Sequence, residues 1–403
     1  MKRRDFLKLT GSLALAPGVS GWVSAEPTTG PVFVMIFLRG GADGLHLVAP
    51  SADPLYVAAR PADLRVAAEG DKAGPLLANA LVPDLGFRLH PALAPLHPLY
   101  QAGHLAVAHA VGLTNATRSH FVAQDMMERG VASERALAEP TGWLARALPA
   151  TRNGITAYSA GASPVLGLHG APAYLALPDP GAGLGFPYGE QTKQLLNRWA
   201  DPATALGTAT RDTLALLDLA AKAQRKGPDG KPQAYLPAGT VPYGPGAEFG
   251  KRLSGVAQLI RADLGLKAAW VDFGIWDTHE AQGGRVADLA GKLAAGLAAF
   301  MDDMARAQRP VVVVALSEFG RRLRANKSNG TDHGHGGTAF VLGHGVAGGR
   351  MVGRWPGLET RQLDEGVDLA VTTDYRSLLA GALGLAGLPA RFPGWAGEAL
   401  PLG

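Results

Sequence analysis

Pro310-Val311-Val312-Val313-Val314-Ala315-Leu316, followed at once by Ser317-Glu318-Phe319-Gly320-Arg321, is the stretch that decides the fold. A continuous β-branched run without polar alternation reads as a strand buried on both faces of a parallel sheet. Four further apolar runs, 31–38, 105–111, 268–273 and 338–343, read the same way; the first closes on Arg39-Gly40-Gly41 and the second on Gly112. Helical patterns fill 121–129, 208–224, 247–264 and 286–307. The last of these spaces Leu289, Leu293, Leu297, Phe300 and Met304 three or four apart, one buried stripe. Strands alternating with helices predict an α/β fold: a mostly parallel central sheet with helices on both faces and loop insertions.

The 403 residues are 47% hydrophobic and 18% charged, with no cysteine. That is ample material for a large core, and it excludes both wholesale disorder and a disulfide-stapled miniature fold. Gly 54 and Pro 29 call for many turns and long loops. Of the formal charge of +4, Lys2, Arg3, Arg4 and Lys8 against Asp5 carry three, so no general basic patch for nucleic acid is left. No strand is followed by Gly-x-Gly-x-x-Gly, which argues against dinucleotide binding. Residues 50–104, rich in Pro, Ala and Leu, and the Pro/Gly-rich 226–246 read as insertions, the latter a surface loop.

Residues 1–25 read as an address. Arg3-Arg4 with Phe6-Leu7-Lys8, a short greasy segment and Val23-Ser24-Ala25 describe a twin-arginine-type signal peptide cleaved near Ala25. The segment is too short and too glycine-rich to span a bilayer, and no later run approaches the length of a membrane helix. The expectation is a bacterial, periplasmic or secreted protein with no stable membrane span. Its partner in transit is the twin-arginine export machinery, and 26–403 form one α/β domain.

Polar residues gather just after the strands, where open α/β sheets bind ligands. Asp43 follows the first strand in Arg39-Gly40-Gly41-Ala42-Asp43-Gly44. Arg118-Ser119-His120-Phe121 lies after the second, and a serine at a helix start favours negative charge. Arg118 could grip two oxygens of an oxyanion. After the third comes Trp276-Asp277-Thr278-His279, whose Asp and His, two apart in extended chain, point to one side. Glu318 follows the fourth, and Asp332, His333 and His335 stand among the glycines of 330–337 before the fifth. Arg321, Arg322, Arg324 and Lys327 add positive charge that could attract an anionic substrate. Mixed carboxylate and imidazole ligands suit Zn, Mn or Fe, in numbers sufficient for one or two divalent ions.

These motifs, with Thr372-Thr373-Asp374-Tyr375-Arg376 near the end, resemble the exported bacterial family of domain of unknown function 1501, from the signal to roughly residue 385. That family is placed in the alkaline phosphatase and sulfatase superfamily. The resemblance implies an alkaline-phosphatase-like α/β domain with Ser119 as nucleophile and Asp43, Asp277, His279, His333 and His335 as metal ligands. Glu318-Phe319 stands where an Asp-His pair is typical, and Phe121 replaces the proline of the sulfatase Cys/Ser-x-Pro-x-Arg pattern.

The expected activity is metal-dependent hydrolysis of an anionic phosphate or sulfate ester by Ser119. His120 or His335 would act as general acid, and Arg118 would grip the oxyanion. The alternatives are a non-catalytic exported binding or assembly protein retaining a degenerate metal or anion site, and a metal-free serine hydrolase. The last lacks the Gly-x-Ser-x-Gly elbow.

Overall fold

The structure, a computed structural model, describes residues 30–70, 72–150, 154–180, 189–244 and 248–403. The signal-like residues 1–25 lie outside the described residues. The central sheet is built from β1 (Val32–Leu38), β2 (Leu105–Gly112), β3 (Ala157–Ser159), β4 (Tyr174–Ala176), β5 (Ala268–Phe273), β6 (Val311–Leu316), β7 (Gly337–Gly343), β8 (Arg350–Val352) and β9 (Thr373–Asp374). Their order is β8-β2-β7-β6-β1-β5-β3-β4, with β9 also beside β2.

Every described pairing in this sheet is parallel except those of β7, which runs against β6 and β2. The sheet is therefore mostly parallel, with helices on both sides. Val32, Val34, Ile36 and Leu38 join one apolar core with α2 (Ala205–Ala221), α3 (Glu248–Ala262) and α4 (Gln282–Arg306). Phe33, Met35 and Phe37 face the other way, into a core with α1 (His120–Arg129) and α5 (Tyr375–Leu385). Both faces of β1 are thus apolar, which is why the sequence shows no alternation. Each fully buried Val, Ile or Phe contributes about 1.5–3 kcal/mol.

The reversal of β7 positions the site. β1, β2, β5 and β6 all end at one rim of the sheet, and β7 begins there. Residues 39–43, 113–119, 274–279 and 317–336 therefore meet. Trp276 N donates to Arg39 O at 3.2 Å and Gly320 N to His335 O at 2.9 Å across this rim.

Two segments are more ordered than their composition predicts. Residues 50–104 pair as Val48–Pro50 with Phe87–Leu89, add short helical turns and pack on α4. Within 226–246, Pro232–Gln233 pairs with Arg225–Lys226 in a small exposed hairpin. The chain then returns to α4, where the Tyr235 and Tyr243 hydroxyls each donate to Asp303 Oδ2 at 2.8 Å. The Asp374 motif has a structural part: its carboxylate caps α5 by accepting from Arg376 N at 2.8 Å. No helix among the described residues is long and apolar enough to cross a membrane.

Candidate metal centre

His120 opens α1 and turns its ring toward the sheet rim. Its Nδ1 lies 2.8 Å from Glu318 Oε1. A carboxylate only accepts, so the ring proton sits on Nδ1 and the Nε2 lone pair is left bare. That Nε2 is buried without a hydrogen bond, 3.4 Å from Asp277 Oδ1.

His333 and His279 repeat the arrangement. His333 Nδ1 donates to Arg118 O at 2.8 Å, and His279 Nδ1 to Asp332 Oδ1 at 3.2 Å. Their Nε2 atoms lie 2.9 Å apart, and 3.2 and 2.9 Å respectively from Asp277 Oδ1. Asp277 and His279 reach the group together because burial alternates along 276–279, with Trp276 and Thr278 buried and Asp277 and His279 on the opposite side. Ile275 holds φ at +67°, a conformation that β-branched residues rarely adopt and that costs about 1–3 kcal/mol.

Three imidazoles, each fixed at Nδ1 by an oxygen acceptor, present three Nε2 lone pairs around one carboxylate oxygen. Second-layer acceptors of this kind hold metal-binding histidines in proteins. Ligand atoms of His120, Asp277 and His333 all lie within 4.8 Å of one another. Tetrahedral bonds of about 2.0–2.1 Å put ligand atoms about 3.3 Å apart, close to the 3.4, 3.2 and 2.9 Å from Asp277 Oδ1 to the Nε2 atoms of His120, His333 and His279, although His279 lies outside the mutual 4.8 Å group. Without a cation, the 2.9 Å approach of His279 and His333 needs one ring protonated, and satisfying the His120 Nε2 as well needs a second imidazolium beside it. The donor set fits a divalent ion of the zinc type better than Mg or Ca.

Burial pushes the Asp277 carboxyl up, but the hydrogen bond and charge of Arg321 hold it down at about 2. Burial likewise lowers His333, whereas at His120 the Glu318 hydrogen bond and charge outweigh burial and raise the ring. Glu318 stays below the usual carboxylate value despite burial, because His120, Gln124 Nε2 and Gly40 N all donate to it.

The other expected ligands are engaged elsewhere. Asp43 turns away from the group: Arg60 Nη1 and Nη2 grip its two oxygens at 2.7 and 3.0 Å, and Gln282 Nε2 donates at 2.6 Å. Glu318 sits behind His120 and orients it. Asp332 does the same for His279, with Asn326 donating to it at 3.1 Å. His335 lies between Asp364 Oδ2 and Leu113 O at 2.9 and 2.8 Å, so neither ring nitrogen faces the group.

Nor is Arg118 free for an oxyanion. Its Nε donates to Asp368 Oδ2 at 2.8 Å and Nη2 to Asp364 Oδ2 at 3.1 Å. Arg321 is buried and binds Gly41 O, Thr331 O and Asp277, which fastens three rim segments rather than drawing in substrate. The glycines of 330–337 serve contact, not flexibility: a Cβ at Gly330 would stand 2.3 Å from the His279 carbonyl carbon. Ser119 lies between His120 and the Arg118 carbonyl that holds His333. It is exposed, and its side chain makes no cap hydrogen bond to α1.

Sequence reading missed Arg60 and Gln282, whose partners come from tertiary contacts. Glu318→Gln tests the orienting role. The amide keeps Oε1 for its three donors, so the fold should hold, while metal affinity falls about 10–100-fold as His120 loses basicity. Metal titration of the variant, followed by competition with a chelator, measures this; unchanged affinity would remove Glu318 from the account.

Fold and group together define an α/β protein with a candidate metal centre on the rim of its sheet. A family model described as "Protein of unknown function (DUF1501)" matches residues 189–388, and over this span the chain is similar to that family. The matched span begins well after the signal-like start from which the motif resemblance runs. No curated protein matches the chain. Among solved structures, phosphonate monoester hydrolase SpPMH from Silicibacter pomeroyi is similar with a TM-score of 0.35 and 10% identity, over 92% of this chain and 75% of that one.

Proposed function

We propose that the chain is a metal-dependent hydrolase of phosphate or sulfate esters, exported by the twin-arginine route to the bacterial periplasm. The observation that carries this reading is the convergence of three tautomer-fixed imidazoles on Asp277. His120, His279 and His333 would hold one divalent ion through Nε2, with Asp277 as the oxygen ligand. No second group of three ligand side chains is found among the described residues. A bound ion supplies a Lewis acid for the ester oxygens and lowers the pKa of a hydroxyl beside it.

The chain's own residues do the rest. Ser119 presents an uncapped hydroxyl at the start of α1, where the helix dipole favours developing negative charge. Glu318 and the Arg118 carbonyl keep His120 and His333 in the binding tautomer. Arg321 holds the Asp277 carboxylate ionised and in place.

Ser119→Ala separates this reading from the binding-protein alternative. Wild-type protein loaded with Zn or Mn is assayed on aryl phosphates and aryl sulfates. Turnover lost in the variant, with metal content unchanged, supports the nucleophile. Equal turnover in the two proteins overturns it. The engagement of Asp43 by Arg60 and of Arg118 by Asp364 and Asp368 favours the alternative, for which wild-type protein binds metal and turns over no ester.

A further inference from the structure

We propose that the cleft between Ala62, Asp63, Arg65 and Lys72 on one side and His90 and the start of α4 on the other is a binding site for a phosphate-type oxyanion, separate from the metal centre and independent of the hydrolase reading. The cleft measures about 610 Å³, and none of its lining residues belongs to the His120, Asp277, His279 and His333 group.

Two buried histidines line it. Gln282 is fixed by Thr331 and Thr278, which donate to its Oε1 at 2.6 and 3.2 Å, so its Nε2 faces Asp43 and His46 Nδ1. His46 Nδ1 is thereby an acceptor, and the ring proton lies on Nε2. His90 Nδ1 accepts from Ala92 N at 3.1 Å, with the same consequence. His46 and His90 are only 2% and 8% exposed, and neither Nε2 has a hydrogen-bond partner among the described residues. Burial holds the two rings at about 3 and about 4, so both are neutral donors.

The third contribution is backbone. Ala281 caps α4 in the left-handed region and provides no side-chain cap, and Gly283 and Gly284 form the first turn on the cleft wall. The first-turn N–H groups of a helix lack intrahelical partners and favour anions. A Cβ at Gly284 would meet nothing within 4 Å, so the cleft is open there. Arg65 and Lys72 add cationic charge. Asp63 is the lining's one carboxylate, and Asn329 Nδ2 donates to it. Donors and cations outnumber acceptors, the complement of a tetrahedral oxyanion.

Isothermal titration of the full chain with inorganic phosphate, and in parallel with an alkyl phosphate monoester, tests the site. The tighter of the two identifies the source, free anion or ester. Asp at the third helical position favours the helix, so Gly284→Asp should fold normally while its carboxylate excludes the anion. Binding should be lost in Gly284→Asp, fall about tenfold in Lys72→Ala, and persist in His333→Ala. No saturable binding of either ligand at millimolar concentration would overturn the proposal, as would undiminished binding in Gly284→Asp. Loss in His333→Ala would do the same, because the anion would then belong to the metal centre.

Discussion

Asp43→Ala is expected to destabilise the protein by about 3–5 kcal/mol while leaving its metal content unchanged. Asp43 and Arg60 form an ion pair whose two side chains are fully buried. Removing the carboxylate strands a guanidinium that also holds Leu323 O and Arg322 O at 2.9 and 3.0 Å. Domains are stable by about 5–15 kcal/mol, so the loss is a large share of the total. Replacing both partners, as in Asp43→Leu with Arg60→Met, should recover most of it, because no charge is then left buried. Burial raises the Asp43 carboxyl, but Arg60 prevails and holds it below 3.8. The pair's contribution is therefore intact above the ordinary aspartate value and fades as pH falls through the folded-state value. Urea unfolding against pH, with metal analysis of each sample, checks all three statements. Metal lost from a normally folded Asp43 variant would return that residue to the ligand set.

The second large effect falls on His333. Truncating the ring in His333→Ala removes an Nε2 ligand and the 2.8 Å link to Arg118 O, yet the ring is only half-buried. The fold should survive, and metal affinity should fall by more than the roughly 100-fold upper limit for an orienting residue such as Glu318. Under the proposed function, ester hydrolysis should vanish with the metal. His335→Ala is the matched control, since both its ring nitrogens are engaged away from the group. It should retain metal.

The sheet was legible because its strands are buried on both faces. Val311–Leu316 and Val32–Leu38 could have no other reading at that length and composition. Ala157–Ser159 and Tyr174–Ala176, three residues each, are too short to leave a pattern. The reversal of β7 is also absent from any local signal, although it brings 330–336 to the rim. In the site, spacing placed Asp277 and His279 on one side of the chain, because period two fixes it. It failed for Asp43, whose partner Arg60 comes from a segment with no periodic pattern. Its place directly after a buried strand made the Glu318 carboxylate a ligand candidate. The backbone approach of Gly40 at 2.9 Å and the side chain of Gln124 claim its oxygen instead.

Anomalous diffraction at the zinc edge, from crystals of the zinc-loaded protein, tests the central claim most directly. The account predicts one strong peak about 2.0–2.2 Å from Nε2 of His120, His279 and His333 and from an Asp277 oxygen. A peak bound by Asp43 or His335, or none near the three imidazoles, would contradict it.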